Sequence, residues 1–197
     1  MSDGTRLSAR VWKPLSDEDL KFPTILEYIP YRKRDGTQVR DALTHPYFSQ
    51  RGYVCLRVDI RGNGDSEGLL FDEYTEVELQ DAEEVISWAS KQSWSNGKVG
   101  MMGISWGGFN SLQVAARNPK ALKAIITLCS TVDRYADDIH YKGGCLLNEN
   151  LGWGATMLSF SSRPPDPSIV GKKWRKLWLE RLNAQPHLSP LWLRHQT

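Results

Sequence analysis

Short apolar runs and amphipathic stretches take turns along the chain as far as residue 130. The segment GTRLSARVWKP places Leu7, Ala9 and Val11 at alternate positions and stops at Pro14, the pattern of a half-buried strand. PTILEYIPY is a short apolar run bounded by prolines, and DALTHPYFSQRGY has the composition of a short helix. YVCLRVDI, Tyr53 to Ile60, is nearly continuous in apolar and β-branched residues, as expected of a strand buried on both faces of a parallel sheet. After the glycine-rich RGNGDSEG, the segment TEVELQDAEEVISWASKQ sets Leu79, Ala82, Ile86 and Ala89 on one helical face. Its Thr75 and Glu78 stand at capping-box spacing. VGMMGI predicts another buried strand, a helix runs from Trp106 to Asn118 and ends at Pro119, and LKAIITL is a further strand. Strands alternating with helices in this order predict an α/β protein with a mostly parallel sheet.

From His140 onward the composition shifts to Gly-, Trp- and Pro-rich segments. KKWRKLWLERL then places Trp174, Leu177, Trp178 and Leu182 on one helical face, a packing stripe rather than a cofactor box. Residues 1–139 are therefore expected to form the sheet-and-helix core, and residues 140–197 a helical excursion that begins a cap or lid.

Composition narrows the function classes. The 197 residues are 40% hydrophobic and 24% charged, with a formal charge of +2, too little to imply a nucleic-acid or membrane partner. The basic clusters YRKRDG and GKKWRK are short and read as solvated surface. Cys55, Cys129 and Cys145 are odd in number and widely spaced, which argues against a disulfide framework. Cys55 and Cys129 lie in apolar runs and are expected to be buried thiols. No charged-then-apolar leader opens the chain and no run approaches the ~20 apolar residues of a membrane span, so a soluble, cytoplasmic protein is expected. RGNGDSEG lacks the G-x-G-x-x-G order and the Walker lysine, so it reads as a structural turn. No metal or organic cofactor is implied.

The segment that carries chemistry is KVGMMGISWGGFNSLQVAARNP. Gly103-Ile104-Ser105-Trp106-Gly107 is G-x-S-x-G, with a strand before it and a helix after it. Such a turn strains the serine backbone so that the hydroxyl projects above the sheet, and side chains two positions to either side would collide. The helix N-terminus also places amide N–H groups beside a developing oxyanion. The motif alone recurs in ordinary glycine-rich turns; the strand-turn-helix context points to a nucleophile.

Several segments together resemble one family. DGTRLSARVWKP, DIRGNGDSEG, WSNGKVGMMGISWGGF and DDIHYKGGCLLNENLGWG are similar, in order, to the α/β-hydrolases that include cocaine esterase, X-Pro dipeptidyl-peptidases and α-amino-acid ester hydrolases. The resemblance implies an α/β-hydrolase fold, incomplete here and followed by the start of a helical cap. It implies a serine hydrolase with a Ser-Asp-His triad in which Ser105 is the nucleophile. It also implies an oxyanion hole from the Trp106 backbone N–H and the Tyr31 hydroxyl. That agrees with the absence of an HGGG-type stretch after the early strand, although residue type alone would make Tyr31 a partly buried loop aromatic. Asp138 matches a position that helps bind a substrate ammonium group in the amino-acid ester hydrolases, with a surface or helix-capping aspartate as the alternative.

The family order is serine, acid, histidine, with both partners on loops after later strands. His45 precedes the serine, His140 follows it too closely, and His187 and His195 lie in a Pro- and Trp-rich segment. None is expected to be the base, so the triad acid and histidine are expected to be missing from this chain. Such a chain would expose its last strand as an uncovered sheet edge, implying poor solubility, a homo-oligomer, or completion by a C-terminal part of the same protein. The substrate class is a small ester or short peptide. The alternative is a non-catalytic fragment or interaction module that retains the scaffold.

Overall fold

The computed structural model describes residues 1–16 and 19–184. A five-stranded sheet in the order β1-β3-β2-β4-β5 forms its centre. Its strands are β1 (Ala9–Trp12), β2 (Phe22–Ile29), β3 (Val54–Asp59), β4 (Ser95–Ile104) and β5 (Leu122–Leu128). β3, β2, β4 and β5 run parallel, and β1 pairs antiparallel with β3 at the edge. All six residues of β3 are buried, as the YVCLRVDI run predicted.

The helices α1 (Gln38–Ser49), α2 (Glu76–Ser90) and α3 (Trp106–Ala116) connect these strands. Leu26, Tyr28, Leu56, Val58, Val99 and Met101 of the strands pack with Ala82, Val85, Ile86 and Ala89 of α2 and Trp106 and Val114 of α3. This cluster is the core, and its exclusion of water holds α2 and α3 to one sheet face. The side chain between Leu56 and Val58 points the other way. Arg57 is fully buried and meets Asp41 of α1 at 3.4 Å and Glu27 of β2 at 3.8 Å. α1 answers with a polar inner face, Asp41, His45 and Ser49, one per turn.

Several expectations need correction. Ala9 and Val11 are exposed, because β1 is an edge strand with no described strand beyond it. Cys55 is buried, its thiol pushed up to about 12 by that burial, but Cys129 is exposed. The reason is that β5 has no described strand beyond it, and Ile126 and Leu128 are 60% and 56% exposed. The YRKRDG cluster is not solvated surface throughout: Arg32 and Lys33 are buried. Lys33 Nζ stands 2.8 Å from both Asp59 and Asp65, the latter in the RGNGDSEG turn, so each charge has its partner.

Beyond β5 come a small hairpin of β6 (Tyr141–Lys142) and β7 (Cys145–Leu146), which the sequence pattern did not suggest, then α4 (Glu149–Ser161), α5 (Pro167–Val170) and α6 (Trp174–Ala184). In α6, Leu177 and Arg181 face inward, while Leu182 is exposed. The inner stripe is turned from the apolar one because Arg181 donates to the backbone carbonyls of Gly64 and Ser66 in the glycine-rich turn. No described helix is long and apolar enough to cross a membrane.

Candidate active site

Ser105 stands between the end of β4 and the start of α3, with φ 56° and ψ −118°. The positive φ, costly for a residue with a side chain, is held by the surrounding contacts. The Ser105 backbone N–H donates to the Leu128 carbonyl at 2.8 Å, and its own carbonyl accepts from Phe109 N at 2.9 Å. The glycines leave room for this turn. A Cβ on Gly103 would lie 2.3 Å from the Gly107 backbone, and one on Gly107 would lie 2.6 Å from Ile29 Cγ2.

Tyr31 arrives from the loop after β2, the neighbouring strand. Its phenol interacts with the Ser105 side chain and the Trp106 backbone N–H. Burial raises its pKa above the usual phenol value, against the opposing pull of those two contacts, so the group keeps the proton that a donor needs. The structure thus brings Ser105, Tyr31 and Trp106 together at the carboxyl ends of parallel strands, where open α/β sheets place their ligands.

α4 crosses over this point. Trp153 meets Tyr31 edge-on at 6.2 Å and lies 6.4 Å from Trp106, and Phe160 is 5.8 Å from Tyr31. Trp153 and Phe160 are two helical turns apart and share a face. The Trp153 indole donates to Glu73, whose other oxygen meets His140 Nε2 at 2.8 Å; His140 Nδ1 meets Asn150. Sequence reading missed Trp153 and Phe160 as ring neighbours of Tyr31, and Glu73 as the partner of Trp153. The only signal was the abundance of tryptophan from Trp106 onward.

Asp138 does not join the group. Its side chain is 2% exposed and paired with Arg134 at 2.8 Å, and its other oxygen accepts from the Ile139 N–H at 2.6 Å. Arg134 in turn lies over the rings of Tyr74 and Phe109. Neither described histidine contacts Ser105: His140 is held as above, and His45 is fully buried 3.3 Å from Glu27. His187 and His195 lie outside the described residues.

Glu27, Asp41 and His45 offer the one described constellation close enough for a metal, with ligand atoms within 4.8 Å of one another. The charge is already balanced there. Arg40 stands 2.7 Å from Glu27 and 2.8 Å from Asp41, and Arg57 adds a second guanidinium. Burial alone would raise the Glu27 carboxyl, but His45, Arg40 and Arg57 together hold it below its ordinary value. A divalent cation would face two fixed positive charges, so the cluster fits a structural ion network better than a metal site.

The X-Pro dipeptidyl-peptidase (S15 family) model matches residues 3–197. The chain is 36% identical over 160 residues to cocaine esterase of Rhodococcus sp. (strain MB1 Bresler), covering 79% of this chain and 27% of that protein. A putative Xaa-Pro dipeptidyl-peptidase of Streptomyces avermitilis is 28% identical, with 89% of this chain and 32% of that protein covered. Among solved structures, a CocE/NonD family hydrolase of Staphylococcus aureus superposes with a TM-score of 0.67 at 28% identity, over 82% of this chain and 32% of that one. The chain therefore spans about a third or less of the length of these relatives. Its fold is that of the α/β-hydrolases.

Proposed function

The chain belongs to the X-Pro dipeptidyl-peptidase (S15) family, and from that premise we propose that it carries the nucleophile and oxyanion hole of a serine hydrolase that cleaves an ester or amide acyl bond. The observation that supports this most is the meeting of the Tyr31 phenol, the Ser105 side chain and the Trp106 N–H on the strained turn. Ser105 Oγ attacks the acyl carbonyl and the carbonyl electron pair moves onto oxygen. That oxyanion is held by the Tyr31 O–H and the Trp106 N–H. Collapse breaks the bond to the alcohol or amine, which leaves with a proton, and water then hydrolyses the acyl-serine.

The serine proton needs a base. The contacts of His45 and His140 support a base and an orienting acid supplied from outside this chain, so that the chain alone turns over very slowly. In this reading residues 1–139 are the N-terminal part of the hydrolase core and residues 140–197 the beginning of its cap. The edge of β5, beyond which no described strand lies, is covered by a further part of the same protein or by another copy. The substrate is a small ester, as the cocaine esterase name suggests, or a short X-Pro peptide, and the compartment is the cytoplasm. Asp138, paired with Arg134, is available to a substrate ammonium group only if that pair opens.

A test is the hydrolysis of p-nitrophenyl butyrate with and without added imidazole as an external base. Imidazole-dependent turnover that vanishes in Ser105→Ala supports the proposal. Turnover equal in the Ser105→Ala variant would remove it and leave a non-catalytic module with the hydrolase scaffold.

A further inference from the structure

One buried carboxylate ties the start of α2 to the first turn of α3. Glu78 is 3% exposed. Its Oε1 accepts the Trp106 indole N–H at 2.6 Å and the Asn110 side-chain N–H at 2.8 Å, and its Oε2 accepts the Tyr74 backbone N–H at 2.9 Å. Asn110 also donates to the Tyr28 carbonyl at 3.2 Å, and the Tyr28 hydroxyl donates to the Glu78 carbonyl at 3.2 Å. Glu78 thus connects to both segments that present the proposed oxyanion donors, through its carboxylate to Trp106 and through its backbone carbonyl and Asn110 to Tyr28. Trp106 follows β4, and Tyr28 lies in β2 just before Tyr31.

Helix capping does not require this arrangement. The N-cap bond is made by Thr75, whose hydroxyl accepts the Glu78 N–H at 3.4 Å. A capping-box glutamate would return its carboxylate to the amide of the N-cap residue itself. Here the carboxylate receives the amide of Tyr74 instead and spends its other oxygen on the residue after the serine. A buried anion has to be matched by donors, and those chosen belong to the nucleophile turn and its helix.

We infer that Glu78 is a positioning residue of the oxyanion hole: by holding the Trp106 indole and Asn110 it fixes the first turn of α3, and with it the Trp106 amide. The catalytic consequence rests on the hydrolase reading; the Glu78–Trp106 contact does not. Burial pushes the Glu78 carboxyl up to about 7, against the pull of the Trp106, Asn110 and Tyr74 donors, and the charge of Glu73 adds to the rise. The other groups on this side are the Tyr28 and Tyr74 phenols, Asp81 paired with Arg61 at 2.7 Å, and Arg134 over the Tyr74 ring. None of these supplies a cation in contact with Glu78. Protonated Glu78 would turn an O–H toward the three N–H groups that now donate to it, so at least one of those bonds must lengthen or the Asn110 amide must turn its unpartnered Oδ1 to accept. The latch is tight above neutrality and loosened below it.

The test uses the full 197-residue chain with 15N-labelled tryptophan indoles. The Trp106 resonance is identified by its loss in Trp106→Phe and followed from pH 5 to pH 9. It is expected to move with a midpoint near 7, and to stay fixed in Glu78→Gln. Glu78→Asp, which keeps the charge on a shorter arm, is expected to retain a smaller titrating shift, and serves if Glu78→Gln does not fold. A Trp106 indole that ignores pH, or that titrates alike in the variants and the native chain, overturns the inference. A second arm follows imidazole-assisted labelling of Ser105 by a fluorophosphonate, which is expected to slow on the order of tenfold in Glu78→Gln. An intact indole titration with unchanged labelling also overturns the positioning role. An intact titration with no labelling of the native chain faults the hydrolase reading instead.

Discussion

The phenol of Tyr31 lies against the side chain of Ser105 and the amide of Trp106, so a residue after β2 and a residue after β4 share one small space. Adjacent parallel strands make this possible, because β2 pairs directly with β4. A donor placed there stabilises an oxyanion in the transition state more than the carbonyl in the ground state. Tyr31→Phe removes the O–H and keeps the ring packed on Trp153 and Phe160. Its imidazole-assisted kcat is expected to fall about 10²-fold with little change in melting temperature. Kinetics beside a thermal melt check this; an unchanged kcat would remove Tyr31 from the hole.

Gly103 and Gly154 separate steric demand from ordinary flexibility. Gly103→Ala puts a Cβ 2.3 Å from the Gly107 backbone. The variant is expected to lose about 1–3 kcal/mol of stability and all reactivity of Ser105. Gly154, within α4, has nothing within 4 Å of the same Cβ position. Gly154→Ala is expected to gain roughly 0.5–1 kcal/mol, because alanine costs less backbone entropy in a helix. Urea unfolding of both variants gives the comparison.

Lys33 is a test of buried charge. Its ammonium is 4% exposed and serves Asp59 and Asp65, themselves 1% and 3% exposed. Lys33→Met keeps most of the side-chain volume but takes from buried Asp65 its ion-pair partner and leaves Asp59 with Arg57 alone, at 3.7 Å. The expected loss is about 3–5 kcal/mol by denaturant titration. A loss below ~1 kcal/mol would mean that Arg57 and the backbone N–H donors to Asp59, from Lys33 and Asp65, suffice.

How much of this was legible in the sequence follows from where each partner lies in the chain. The strands β3 and β4, the helix α2 and the G-x-S-x-G turn depend on neighbours within a few residues, and local pattern finds them. The ion network of Lys33, Asp59 and Asp65 depends on three separate segments. A run such as YRKR therefore looks like solvated surface until the fold brings the carboxylates to it. Glu78 was visible as half of a capping signal, and that local role concealed its contact with Trp106. Cys129 fails for the opposite reason. Its apolar surroundings predict burial, but burial depends on what lies beyond β5.

Glu78 also makes stability depend on pH. Its folded pKa, about 7, lies above the ordinary 4.5, so the native state holds a proton that the unfolded chain releases. Between those values stability falls as pH rises, by a total on the order of 3 kcal/mol. Glu78→Gln lacks this loss. The difference in unfolding free energy between the native chain and the variant is therefore expected to shift in favour of the variant from pH 5 to pH 8. A difference constant across that range would show that Glu78 is ionised throughout it.

The central proposal is that Ser105 is a nucleophile set beside an oxyanion hole of Tyr31 and Trp106, and intact mass after treatment with a fluorophosphonate probe tests it most directly. A single adduct is predicted, slow in buffer, accelerated by imidazole, and lost in Ser105→Ala. An adduct that persists in Ser105→Ala, or none from the folded chain under either condition, would contradict the account.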